Sequence, residues 1–392
     1  MRKSTVTFWV RVMAGVWALG LGLTCVAFAQ EGTSRSELSP LIHNRKFEMT
    51  GDWKFDLGGA NGQEAKDAYT AAYVYFSSNF DFNFAKIIKA RISPWARAFS
   101  GRSQDRFDDG GLDNKISLHE FWLGVEPLPF VELRAGAHHQ GVLGSPMLVS
   151  GLRTFPGLQE IFKAKFTPEF EGKIVLQQVV PTSSSLNDER EDVEPLPWFR
   201  TEHIEFKGRA FRKLEWKVFG GRYAWQDIPM KVATESAKHG NSLDTNGYSL
   251  YGRLTYQHKG YFGGSTVCFC DDENGYGIVG EYMRSTNTEV PSGLADSQLI
   301  GIGPKVTIGD VEVDVRYRKY FIEPEATVAA YNKSRFGNTN RDGHNAEVNL
   351  KFLKHGFSLY GEMYQAKPLD KTKDQHDMAL YYLGVETDYA SF

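Results

Sequence analysis

Val311-Glu312-Val313-Asp314-Val315-Arg316-Tyr317 is the stretch that decides the fold. Its apolar residues, Val311, Val313, Val315 and Tyr317, stand on every second position, and Glu312, Asp314 and Arg316 fill the gaps. A period of two belongs to a β-strand with one apolar and one polar face, because successive side chains point to opposite sides of the pleat. Working outward, the same rhythm returns in Leu214, Trp216 and Val218 against Lys213, Glu215 and Lys217. It returns again in Val348, Leu350 and Phe352 against Glu347, Asn349 and Lys351. Phe357, Leu359, Gly361 and Met363 oppose Ser358, Tyr360, Glu362 and Tyr364. No comparably clear period near 3.6 appears, so the reading is all-β.

The connections alternate in length. Glu126 to Pro129, Gly309-Asp310 and His355-Gly356 are tight turns. Between them lie long polar loops: Gly101 to Asn114, Gly141 to Gly157, Pro181 to Pro197, Gln226 to Asn246, Glu323 to Asn345 and Lys367 to Asp377. Short turns at one end and long loops at the other are the plan of an antiparallel up-and-down transmembrane β-barrel, with the short turns on the periplasmic side. From Phe47 to Phe392 this rhythm predicts about 16 strands, or 14 to 18. Two segments set that range. Tyr69 to Ser100 must hold two strands without an obvious turn, and Tyr261 to Gly275 reads as an extra hairpin or a long inner turn.

The start of the chain points to export. Arg2 and Lys3 precede an apolar run from Val12 to Phe28, and Ala27-Phe28-Ala29 has the small-x-small form of a cleavage site. The expected division is a cleaved signal peptide at 1–29, a short periplasmic segment at 30–45 and the barrel at 46–392. Cys25 lacks the preceding leucine and small residues of a lipid-attachment site. After the leader no apolar run is long enough for a transmembrane helix, which leaves strands as the means of crossing. Lys and Arg number 45 against 48 Asp and Glu, so the chain has no basic excess and is not expected to bind nucleic acid. Cys268 and Cys270 are too few for a disulfide framework, and the single residue between them makes a mutual bridge awkward.

A soluble sandwich also alternates, and three features favour the membrane. Aromatic residues gather near strand ends: Trp198, Phe199, Trp225, and the pairs Tyr248/Tyr256 and Tyr381/Tyr389 on apolar faces. Each pair is eight residues apart, roughly 26 Å along a strand and about 20 Å in height once tilted, near the spacing of two aromatic girdles. The polar faces carry full charges, as a wall facing water does and a dry sandwich core does not. The chain ends with Tyr381, Leu383, Val385, Thr387 and Tyr389 alternating, then Phe392. This ending resembles the C-terminal signal of Gram-negative outer-membrane proteins, and the chain as a whole resembles the general porins. Phe392 is out of register with Tyr389, so the match requires a bulge or a frayed end.

The resemblance implies a water-filled channel for small hydrophilic solutes and ions, with outer-membrane lipid around it. It further implies a homotrimer, and recognition of Phe392 by the barrel-assembly machinery. If apolar faces meet lipid, the wall inside carries Glu132, Arg134, His138, Lys163, Lys165, Lys173, Lys213, Glu215, Lys217, Arg253, Asp314, Arg316, Glu347, Lys351 and Glu362. Bases are richer on the middle strands and acids on the last ones, an order that predicts a transverse field. In porins the third outer loop narrows the lumen. Here Gly141 to Gly157 is too apolar for an exposed loop, which makes Met147, Leu148, Arg153 and Phe155 the candidate constriction, with Arg153 towards the opening. The Pro-Glu-Phe-Gly-Gly signature of general porins is absent, and a loop packed over a subunit interface is the alternative. The acidic loop around Asp188 to Glu194 lacks metal-ligand spacing, and neither metal nor cofactor is expected. Asp108-Asp109 and His376-Asp377 superficially match the pairs of outer-membrane protease barrels, but sit in ordinary polar loops; no enzyme is expected. A solute-selective channel, for phosphate or sugar, is the alternative function, ahead of an adhesin or receptor.

Overall fold

A computed structural model describes residues 47–64, 67–85, 87–101, 115–181, 196–211, 213–241, 258–271, 274–371, 375–387 and 390–391. The leader, Gln30 to Arg45, Arg253, the Asp188 loop, Asp108-Asp109, Tyr248, Tyr256, Tyr389 and Phe392 lie outside the described residues. The strands are β1 (Phe47–Glu64), β2 (Asp67–Phe84), β3 (Ile88–Gly101), β4 (Lys115–Leu128) and β5 (Val131–His139). β6 (Thr154–Thr167), β7 (Phe170–Val179), β8 (Trp198–Ala210), β9 (Leu214–Gln226), β10 (His258–Asp271) and β11 (Tyr276–Asn287) follow. β12 (Asp296–Ile308), β13 (Val311–Ile322), β14 (Arg341–Phe352), β15 (Phe357–Pro368) and β16 (Met378–Thr387) complete the set, and β17 (Ala390–Ser391) continues β16.

Consecutive strands pair with one another, and β1 pairs antiparallel with β16 from Asp56 opposite Glu386 to Glu64 opposite Met378. The result is a closed barrel of 16 antiparallel strands. Closure leaves no strand edge unpaired, the condition under which backbone polar groups tolerate hydrocarbon. The deciding stretch lies in β13 as the alternation requires: Tyr317 is exposed on the outer face, while Arg316 lies half-buried on the other. Across the barrel, Ile302 is 61% and Leu383 71% exposed on that outer face.

Both uncertain segments resolve within the 16. Tyr69 to Ser100 holds β2 and β3, joined where Ala85 takes φ 52° and the Ile87 amide donates to the Phe84 carbonyl at 3.2 Å. Tyr261 to Gly275 is not an extra hairpin: β10 runs through both cysteines to Asp271 before turning. Cys268 and Cys270 nevertheless bridge one another, contrary to expectation. As i and i+2 on one strand they share a face, and their Cα atoms come within 5.3 Å, inside the span a disulfide accepts.

Near the chain end the register with β1 slips, and the bulge or frayed end expected between Tyr389 and Phe392 falls outside the described residues. Glu386 lies opposite Asp56 and Ala390 opposite Trp53, so one strand advances four residues while its partner advances three. Phe199 and Trp225 do not belong to a girdle. They are fully buried on the inward face, stacked with ring centres 3.9 Å apart, where Phe155 and Tyr331 meet them edge-on and face-on. Aromatic residues near strand ends serve two environments, and only register parity with the exposed residues tells them apart.

Candidate pore lining and constriction

The face opposite the exposed apolar one carries charges knit into cross-strand pairs. On β5, Glu132 is 1% exposed and accepts a hydrogen bond of 2.6 Å from Arg134 Nε, and Lys163 of β6 pairs with its other oxygen. On β8, Glu205 sits between Lys173 of β7 at 2.9 Å and Lys217 of β9 at 2.8 Å. On β13, Arg318 reaches Glu281 of β11 at 2.7 Å and Glu347 of β14 at 2.6 Å, while Arg316 pairs with Asp314 at 2.7 Å. Inward residues two apart on one strand, or opposite or diagonal on neighbours, stand within reach of a long side chain, and Arg318 reaches Glu281 across Gly301 of β12, which has no side chain in the way.

Toward the short-turn end, Lys213 meets Asp271 at 2.6 Å and Glu215 pairs with Arg209. Lys213 lies in the turn before β9 rather than on a strand. Lys165 is exposed and opposite Glu171; Lys351 is opposite Glu312. His138 is buried, with Nε2 3.1 Å from the carbonyl of Gly157. Acids and bases are thus interleaved pair by pair. Each of these networks keeps one charge in excess: two lysines flank the single Glu205 on the middle strands, and two glutamates flank the single Arg318 on the later ones. Glu205, Glu281 and Arg318 hold these networks together.

The long connections build a second layer. The third, after β5, begins with a 3-10 turn at Gln140–Leu143 and ends its turn at Gly144, φ +68°. A Cβ at Gly144 would stand 3.3 Å from the Phe219 ring, so the loop lies against the inward face of β9. Met147 and Leu148 have no exposed surface, and neither does Phe155, which belongs to β6. Leu148 packs with Phe219, Tyr223 and Phe262, all inward, and Met147 with Leu299, Tyr320 and Tyr364. The loop therefore folds inside the barrel. Arg153 does not end free at an opening: its Nη2 donates to the carbonyl of Ala330 at 2.9 Å.

Ala330 belongs to a second infolded segment between β13 and β14. Its Ala326-Thr327-Val328-Ala329-Ala330-Tyr331 run is buried against the third loop. Thr327 Oγ1 donates to the Leu148 carbonyl at 2.8 Å, and the Ser150 amide donates to the Tyr331 carbonyl at 2.8 Å. A short helix, Met230–Lys238, joins from the other side: Asn241 Nδ2 donates to the carbonyls of Pro324 and Thr327 at 2.5 and 2.9 Å. The same segment delivers Lys333 and Arg335 to the β15 wall. Arg335 pairs with Glu362 at 2.6 Å and lies over the Tyr382 ring at 4.0 Å; Lys333 Nζ is 3.2 Å from Tyr364 Oη. Burial, with Arg335 beside it, pulls the Lys333 ammonium down to about 8. Lys333 and Arg335 were missed in the sequence. The apolar run ahead of them, too greasy for an exposed loop, is the same signal that marked the third loop.

The backbone resembles solved outer-membrane porins. OprB of Pseudomonas putida, in its high-pH structure, aligns with a TM-score of 0.56 at 12% identity over 92% of this chain and 97% of its own. OccAB1 of Acinetobacter baumannii gives 0.51 at 8% identity, covering 88% and 97%. OmpF of Salmonella typhi, solved with daunomycin, gives 0.50 at 9%, covering 89% and 98%. At such identities the likeness is one of fold. No protein-family model and no curated protein matches the chain.

Proposed function

We propose that the chain is an outer-membrane porin, a water-filled channel through which small hydrophilic solutes and ions diffuse passively. The observation that carries this is a closed barrel of 16 strands whose inward face is charged and whose outward face is apolar. A barrel of that strand number is too wide for side chains alone to fill. Paired charges on its wall keep water in the lumen, where an unpaired array of one sign would repel itself. Met147 and Leu148 anchor the third loop, Phe155 the wall behind it, and Arg153 clamps that loop to its neighbour. The inward residues Glu132, Arg134, Lys163, Lys173, Lys217, Asp314, Arg316, Glu347 and Glu362 line the path. Cleavage after Ala29, recognition of Phe392 by the barrel-assembly machinery and a homotrimeric state complete this reading.

One observation favours a solute-selective channel over a general pore. Among the described residues three segments fold inside, and the one between β13 and β14 carries Lys333 and Arg335 opposite Glu362. The test is single-channel conductance of the purified chain in a planar bilayer, with reversal potentials under a salt gradient. Steps of uniform size are expected. Folded protein that never conducts removes the channel reading and leaves a receptor, adhesin or enzyme barrel.

A further inference from the structure

The outward face is not apolar to its end. Beyond Tyr317 on β13, the next outward residue is Lys319; on β14 the outward positions past Val348 include His344 and Asp342; on β15, Lys367. These positions lie at the long-loop end, where Pro368 leads into the connection that carries Lys371, His376 and Asp377. Together they line a cleft of about 960 Å³ on the outside of the wall, shared with Gln63 of β1 and Ala379 of β16. It holds three lysines against two aspartates, with His344 and His376 beside them. Lys319 pairs with Asp342, and Lys367 and Lys371 outnumber Asp377, so the cleft keeps one positive charge in excess.

Directly below the cleft the wall turns apolar. Tyr317, Val348, Tyr381 and Leu383 are exposed there. Tyr317 marks the boundary: its ring stacks on His344, centres 5.7 Å apart, and its hydroxyl bonds His344 Nδ1. A cationic cleft opening sideways onto an apolar wall suits a molecule with an anionic head and hydrocarbon tails. A free anion has no use for the wall beneath, and neutral lipid has none for the lysines.

We propose that this cleft seats the phosphorylated headgroup of an outer-leaflet lipid, its acyl chains lying along β13 to β16. The inference rests on the membrane-spanning reading above. Ammonium–phosphate contacts beside a low-dielectric band are charge-assisted and weakly screened, which is what holds one lipid in place among many.

The test is native mass spectrometry of the full chain in detergent with three probes: a diphosphorylated glucosamine lipid, its dephosphorylated counterpart, and inorganic phosphate. Retention of the phosphorylated lipid alone is expected. The double variant Lys367→Gln/Lys371→Gln should weaken that retention about tenfold or more, the worth of one charge-assisted hydrogen bond. Lys354→Gln, in the turn at the opposite end, should leave it unchanged. Bilayer conductance of each preparation shows that the barrel is assembled and separates the two readings: a conducting barrel that takes up no phosphorylated lipid loses the cleft but keeps the channel. Equal retention of the dephosphorylated lipid, binding of inorganic phosphate with the same dependence on Lys367 and Lys371, or a self-associated chain that excludes lipid overturns the proposal.

Discussion

Glu205 is the residue at which the wall's electrostatics turn. It is buried between Lys173 and Lys217, and its carboxylate satisfies both. Glu205→Gln keeps the shape and leaves two ammoniums uncompensated, so the reversal potential should move toward anion preference. Urea unfolding should register a loss of about 1–3 kcal/mol, as expected for a charged hydrogen-bonding partner. An unchanged reversal potential would place Glu205 away from the ion path. Lys333 supplies the pH dependence. Its ammonium, pulled down to about 8 from the ordinary 10.5, is charged at neutral pH and neutral above that value. As pH rises through about 8 the lumen loses one positive charge beside Glu362, so cation preference should increase. In Lys333→Gln that change should vanish; if the variant keeps the same transition, another group titrates there.

At the scale of elements, the third loop and the β13–β14 segment stand or fall together, since each satisfies the other's backbone. Tyr331 is the joint, stacked on Trp225 and accepting from the Ser150 amide. Tyr331→Ala removes a fully buried ring and should weaken docking by about 3–5 kcal/mol. The expected readout is a larger and noisier single-channel conductance with the barrel intact; a variant whose conductance equals the parent's would show that the segment does not narrow the path. The wall behind the third loop has its own constraint. Gly136 on β5 has φ +138° and faces Gly157 on β6, and a Cβ there would stand 2.3 Å from the Phe121 carbonyl. Gly136→Ala should lower urea stability by about 1–3 kcal/mol, an overpacking effect.

At the scale of the whole molecule, closure joins the first strand to the last, and the bulge between Glu386 and Ala390 lets the chain end keep pairing with β1 after the register slips. On the assembly reading, Phe392→Ala should reduce the yield of folded barrel in cells while leaving the conductance of refolded protein unchanged; a normal yield would separate Phe392 from assembly. The barrel itself was legible from alternation, because a period of two with charges on one face has few homes other than a wall between lipid and water. The in-or-out assignment of Glu132, Asp314 or Tyr317 followed from parity alone. The third loop was marked by composition instead, since Met147 and Leu148 needed something to pack on, inside the barrel or at a subunit interface. Aromatic clustering could not say that Phe199 and Trp225 face inward, because an aromatic ring near a strand end suits an interface and a packed interior equally; only their parity with Glu205 and Lys217 does. Parity in turn could not show that Lys173 and Lys217 share Glu205, or that a segment between β13 and β14 carries Lys333 and Arg335 to Glu362. Those facts depend on which strands are neighbours and where long loops dock, contacts between residues far apart in the chain. Local periodicity determined the wall of this protein; only tertiary packing decided what stands inside it.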